Sequence, residues 1–153
     1  MSRRRRRHLS GATDGRKTFR EWQLGPFTYR SDRIAHDYMR RWVLFTPWGM
    51  LRLHHIMRSD SREHHHDHPM DFMSFILWGG YIEYRPDQPP RTFRPGSINT
   101  RKAEDLHSLE LLGKSAWTFV IAGPVRRQWG FATEDGWIKA GEYDAWKARR
   151  KEL

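Results

Sequence analysis

Residues 62–80 read Arg62-Glu63-His64-His65-His66-Asp67-His68-Pro69-Met70-Asp71-Phe72-Met73-Ser74-Phe75-Ile76-Leu77-Trp78-Gly79-Gly80. A histidine-dense run is followed by an aromatic and branched stretch, Phe72 to Trp78, and then by two glycines. The second half is a strand by composition, ended by Gly79-Gly80. If the first half is extended too, alternate side chains share a face. His64, His66 and His68 then point one way, and His65 and Asp67 the other. Carried on through the strand, the same parity puts Phe72, Ser74, Ile76 and Trp78 on the side of His68. Residues at i and i+2 on a strand lie about 6.5–7 Å apart. Two imidazoles so placed can converge on one divalent ion, at metal–nitrogen distances near 2.0–2.1 Å. They supply two ligands and need a third from another part of the chain.

The same strand-and-turn punctuation continues in both directions. Upstream, Trp42-Val43-Leu44-Phe45 closes at Thr46-Pro47-Trp48-Gly49. Met50 to Arg58 follows, with Leu51, Leu53, His55 and Met57 on one face. Downstream, Tyr81 to Arg85, Arg91-Thr92-Phe93, Ser97 to Arg101, Leu106 to Leu112, Ala116 to Ala122 and Val125 to Phe131 read as strands. Gly113-Lys114 looks like a hairpin link. Residues 19–40 are ambiguous: Gly25-Pro26 marks a turn, and Ile34 to Arg41 suits a short helix or a loop. Glu142 to Glu152 reads as a terminal helix. Roughly eight to ten short strands without βαβ alternation predict an all-β sandwich or barrel, and a jelly roll closes that many antiparallel strands.

At 153 residues the chain suits one domain, expected over 19–153 behind an irregular arm at 1–18. There is no cysteine, which excludes disulfides, thiolate-held metal and a thiol nucleophile; a metal would need His, Asp or Glu. The net charge of +10 is concentrated at the start. Residues 1–20 carry eight basic side chains, including Arg3 to Arg7, against Asp14 alone, leaving +3 for the other 133 residues. Such an arm attracts nucleic acid or another anionic surface without sequence specificity, or is simply solvated. No long apolar run and no signal-peptide h-region stands in the sequence, so the expectation is a cytoplasmic protein without a membrane contact. Eight Trp, eight Phe and five Tyr supply a core although only 37% of residues are hydrophobic.

His107 is the one histidine downstream of the cluster. In Leu106-His107-Ser108-Leu109-Glu110-Leu111 it shares a face with Leu109 and Leu111, and a buried histidine must find a polar partner or a metal. A histidine-rich loop can also be an exposed, titrating segment with no further role. A rival set is His65 and Asp67 with His107, the 2-His-1-carboxylate pattern of non-haem iron sites. Strand parity sets that rival against the His66/His68 choice. With it, Arg101, Arg126 or Arg127 would grip the carboxylate of a co-substrate. Asp67, Asp71, Glu83, Glu104 and Asp105 are candidates for orienting a ligand, Glu104 and Asp105 for His107 in particular because they lie just before it. Tyr81, Tyr84 and Trp129 are candidate pocket walls.

The arrangement resembles the cupin superfamily. His66-Asp67-His68-Pro69 through Phe72 to Gly79-Gly80 is similar to its first motif, and Pro95-Gly96-Ser97 with His107 to its second. The stretch from about Arg41 to Trp137 also resembles a group of small cupin-like proteins of phages and bacteria. It shares the runs from His66 through Glu83, Arg94 to Ser97, Ala103 to His107 and Trp129 to Trp137. The slots where many cupins place a metal-binding Glu hold Phe72 and Met73 here. The resemblance therefore implies a double-stranded β-helix (jelly roll) and a three-histidine metal site of His66, His68 and His107, with His64 in reserve. It implies Fe(II) first among Fe, Zn, Ni, Cu and Mn, and a small-molecule dioxygenase or other oxidoreductase. A non-catalytic metal-stabilised binding module, or a nucleic-acid-associated protein using residues 3–7, are the alternatives. Many cupins form homodimers, which the resemblance extends to this chain.

Overall fold

A computed structural model describes residues 17–35 and 37–151. Twelve strands and one helix are built from them: β1 (Lys17–Leu24), β2 (Phe27–Ile34), β3 (Met39–Thr46), β4 (Gly49–Ile56), β5 (Phe72–Trp78), β6 (Tyr81–Arg85), β7 (Gln88–Phe93), β8 (Ile98–Arg101), β9 (Ser108–Leu111), β10 (Ala116–Ala122), β11 (Gly130–Thr133), β12 (Gly136–Lys139) and α1 (Ala140–Lys151). A seven-stranded sheet runs β1-β2-β3-β4-β10-β5-β8. A three-stranded sheet runs β7-β6-β9, and β11-β12 form a separate hairpin. Every pairing is antiparallel. This is the expected all-β jelly roll with a short C-terminal helix.

Two packed clusters fill the space between the sheets. Val43, Met50, Met70, Val120 and Ala122 form one, with Phe45 and Phe72 against it. Ile76, Tyr81 and Phe93 form the other, with Leu109 against it. The chain passes from the large sheet to the small one at Gly79-Gly80. Gly79 has φ +75°, and a Cβ there would lie 2.1 Å from the carbonyl oxygen of Ser115. Only glycine suits that corner.

Several sequence expectations change. β1 already starts at Lys17, two residues inside the stretch expected to be irregular; residues 1–16 of the arm lie outside the described residues. The ambiguous 19–40 region is mostly a hairpin, β1 on β2, in which Trp22 pairs with Tyr29. A turn, not a helix, follows β2: Tyr38 N–H donates to Ala35 O at 3.0 Å. Gly113-Lys114 is no hairpin, because β9 pairs with β6 in the small sheet whereas β10 pairs with β4 and β5 in the large one. Of Val125 to Phe131 only Gly130 onward is strand. Trp78 does not share the inner face; it is 69% exposed, because a register shift near Trp117 breaks the alternation. Among the described residues no helix is long and apolar enough to cross a membrane.

Candidate metal centre

The histidine run is extended, but it is not part of a long strand. It lies as a single thread between two neighbours. His66 N–H donates to His107 O, and His107 N–H donates back to His66 O, both at 2.9 Å. On the other side, Asp67 N–H donates to Gly130 O at 3.0 Å and Ala132 N–H to His65 O at 2.9 Å. These bonds fix the period of two, so His66 and His68 turn inward toward His107. One nitrogen from each of the three lies within 4.8 Å of the others. The ring centroids are 4.8 to 5.1 Å apart.

Donor chemistry and spacing suit a divalent transition ion. His68 Nε2 and His107 Nε2 stand 3.4 Å apart. Two nitrogens about 2.1 Å from one tetrahedral ion are themselves about 3.4 Å apart. Metal ligation needs neutral imidazoles, and burial favours that form. Burial lowers the His66 pKa to about 4, with the charge of Asp60 opposing. Burial also takes His68 well below the ordinary histidine value, helped by the neighbouring His107.

Glu83, on β6, is the acid that orients the group. It is 1% exposed. Its Oε1 accepts from His107 Nδ1 at 2.6 Å, from Arg101 Nε at 2.9 Å and from Asn99 Nδ2 at 3.1 Å; Arg101 Nη2 bonds the other oxygen. With its Nδ1–H given to Glu83, His107 directs the Nε2 lone pair at the other histidines. Burial alone would raise the Glu83 carboxyl, yet the bonds from His107 and Arg101 outweigh it and hold the group at about 2. The two acids expected to do this work are elsewhere. Glu104 takes both guanidinium nitrogens of Arg126, at 2.6 and 2.7 Å, and Asp105 accepts from Arg85 at 2.9 Å.

The rival iron triad is not assembled. His65 Nδ1 meets Ser108 Oγ at 3.1 Å. Asp67 is buried and fully engaged by Arg127 Nη1, Gly130 N and Trp137 Nε1, at 2.6, 2.7 and 2.9 Å. Nor does His64 join the other three. Its ring bridges Tyr143 Oη at 2.7 Å and Glu134 Oε2 at 2.9 Å, so that it ties the thread to α1. Of the three arginines considered for a co-substrate, Arg101 is held by Glu83, Arg127 by Asp67, and Arg126 by Glu104 and Asp71.

The three histidines form part of the wall of a cavity of about 90 Å³ between the sheets. Phe72, Ser74 and Tyr81 line it as expected, and Phe72 also packs its ring against His68 at 4.7 Å. Ile76 sits in the core, and Tyr84 instead bonds Glu110 at 2.8 Å. Trp129 approaches His66 at 6.2 Å without lining the cavity. Sequence reading passed over the β4 wall. Leu51 and Leu53 point outward, and Arg52, His54 and Ile56 point in. Burial drives the His54 pKa well below normal, with Arg52 and Arg41 adding to the shift.

No family model and no curated protein matches the sequence. Solved structures do. A protein from Rhodospirillum rubrum described as a cupin-2 domain superposes with a TM-score of 0.54 at 14% identity, covering 89% of this chain and 84% of its own. KdgF from Halomonas sp. gives 0.49 at 15% identity, over 61% of this chain and 86% of that one. A DMSP lyase structure gives 0.48 at 13% identity over 56% of this chain, which spans about half, 47%, of that longer protein.

Proposed function

The chain has the cupin fold, and from that premise we propose that it is a mononuclear metal-dependent protein acting on a small molecule. His66, His68 and His107 are its metal ligands. One observation carries the proposal: three imidazoles, two from the His66–His68 thread and one from the segment leading into β9, lie within 4.8 Å of one another on the wall of the cavity between the sheets. Three neutral nitrogens suit Fe(II), Zn, Ni, Cu or Mn, and three protein ligands leave positions for a substrate. Bound there, a divalent ion supplies Lewis acidity and, as Fe(II), redox chemistry with O2.

The chain's own residues do the remaining work. Glu83 fixes the tautomer and direction of His107, and Asp60 Oδ2 stands 3.9 Å from His66 Nδ1. The paired backbone of His66 and His107 holds two ligands at one register. Phe72, Met70 and Val120 give the cavity apolar walls. With Fe(II) as the ion, the open positions suit O2 together with a substrate, and the specific reading is an oxidoreductase of the dioxygenase type.

The test is oxygen uptake by full-length protein loaded anaerobically with Fe(II). It is offered small acids, thiols and sugars, with His107→Ala as control. Uptake stimulated by one class, and absent in the variant, is the expected outcome. An iron-replete sample that consumes no oxygen with any of them removes the oxygenase assignment.

A further inference from the structure

The seven strands of the large sheet carry two acids, Glu21 and Asp32. Both stand on the inner side. Glu21 lies opposite Arg30, which lies opposite the core residue Val43, and it accepts from Arg30 Nε at 2.7 Å. Asp32 is buried and holds Arg41 at 2.8 and 2.9 Å. The strands therefore present no carboxylate on the outer face, yet they keep four cations there. Directly opposed residues share a face. One row across β1-β2-β3-β4-β10 reads Lys17, Arg33, Arg40, His55, Trp117; the next reads Arg20, Ser31, Trp42, Leu53, Phe119; the third reads Trp22, Tyr29, Leu44, Leu51, Ile121. Among the described residues none of Lys17, Arg20, Arg33 and Arg40 pairs with a carboxylate.

Aromatic rings stand among these cations. Lys17 Nζ and the Arg33 guanidinium lie over Phe19, the extra residue at the β1 irregularity, at 5.8 and 5.6 Å. Trp22 and Tyr29 are 5.8 Å apart, and Trp117 stacks on His55 at 4.3 Å and on Trp42 at 5.7 Å. Phe19 and Trp22 are 54% and 65% exposed. Along the strands Arg20 precedes Trp22, and Arg40 precedes Trp42, by two residues, or about 6.5–7 Å.

Charge and rings together select the occupant. A second copy of this face would set cation against cation. Rings interleaved with cations on an open sheet match a chain of bases and phosphates, the bases stacking on the rings and the phosphates meeting the cations. A duplex keeps its bases stacked inside and offers the rings nothing.

We propose that the outer face of β1-β2-β3, with Trp117 beside it, binds single-stranded nucleic acid without sequence preference. The proposal is independent of the metal centre, which lies on the other side of the sheet.

Arg3 to Arg7 precede this face in the chain and attract any polyanion, so stacking has to be separated from charge. Full-length protein is titrated by fluorescence anisotropy with a labelled oligothymidylate of about 12 nucleotides, within the usual site size, and with a duplex of the same length. Cosedimentation with phosphatidylserine vesicles covers an anionic lipid surface. The expected result is tighter binding of the single strand than of the duplex. Trp22→Ala should weaken it at least about fivefold, the loss of one stacked base, and Trp22→Phe should restore most of it. Arg20→Ser should lower the salt dependence by about one released ion, and it reads out the face should Trp22→Ala fail to fold by circular dichroism. Wild type that ignores the single strand, binds the duplex as tightly, or binds only the vesicles overturns the proposal. So do folded Trp22→Ala and Arg20→Ser variants that both bind as wild type does, which would leave the attraction to the arm.

Discussion

At Glu83, four hydrogen bonds meet on one buried carboxylate, from His107, Asn99 and two nitrogens of Arg101. Replacing it with Gln keeps the size but gives up the charge opposite Arg101. Removing one partner of a buried ion pair typically costs about 3–5 kcal/mol, and losing such a ligand-orienting group costs about 10–100-fold in metal affinity. Glu83→Gln should therefore lower both, measured by denaturant unfolding and by chelator competition. Protonation tests the same residues. The pKa of His66 falls to about 4 in the fold, so the unfolded chain binds its proton first. Its contribution to stability is intact above pH 6.5 and is lost as the pH falls toward 4. Glu83 is held at about 2, so its stabilising contribution is present above its unfolded value and lost as the pH falls through 2. Metal-free protein should thus lose stability steadily from pH 6.5 downward, by urea titration. A flat profile between pH 6.5 and 4 would contradict the buried, neutral His66. The i, i+2 spacing put His64, His66 and His68 on one face, and the resemblance to cupins singled out His66 and His68 with His107. Glu83 was only one of five acids, and nearness in sequence favoured Glu104 and Asp105. The contact to His107 is made across paired strands β6 and β9, 24 residues apart, and that pairing is not written locally.

Among the elements, the corner between β5 and β6 does most to place the site, since it moves the chain from one sheet to the other. Gly79→Ala puts a Cβ into the Ser115 carbonyl and forces a left-handed backbone on a residue that resists it. Strain of that kind costs about 1–2 kcal/mol before the clash is counted. We expect a loss of at least about 2 kcal/mol in chemical denaturation. The glycine pair was visible in the sequence as a strand end. Its role as a sheet switch was not, because a turn and a crossover share the same residues. β4 illustrates the opposite difficulty. Its alternation was plain, with Leu51, Leu53, His55 and Met57 on one side, but alternation does not say which side faces in. Leu51 and Leu53 lie outside, against Ile121 and Phe119 of β10, and the more polar set lines the cavity. His64 likewise looked like a ligand in reserve. Its anchors, Tyr143 on α1 and Glu134 before β12, lie far along the chain, and no local pattern announces them.

For the whole molecule, composition and punctuation were enough to predict an all-β jelly roll, because many short antiparallel strands have few ways to close. The division into a seven-stranded and a three-stranded sheet was not foreseeable from the strands alone. It depends on which of β4, β5 and β9 lies beside β10. That division brings His107, immediately before β9, against the thread carrying His66 and His68, and leaves the cavity between the sheets. The central claim is that this convergence holds a metal ion. The most direct test is elemental analysis of full-length protein purified without an affinity tag or added metal, on wild type, His66→Ala and His107→Ala, with folding checked by circular dichroism. Near-stoichiometric transition metal in wild type, lost from both folded variants, is the predicted result. Folded wild type that carries no metal and takes none up on reconstitution would contradict the claim.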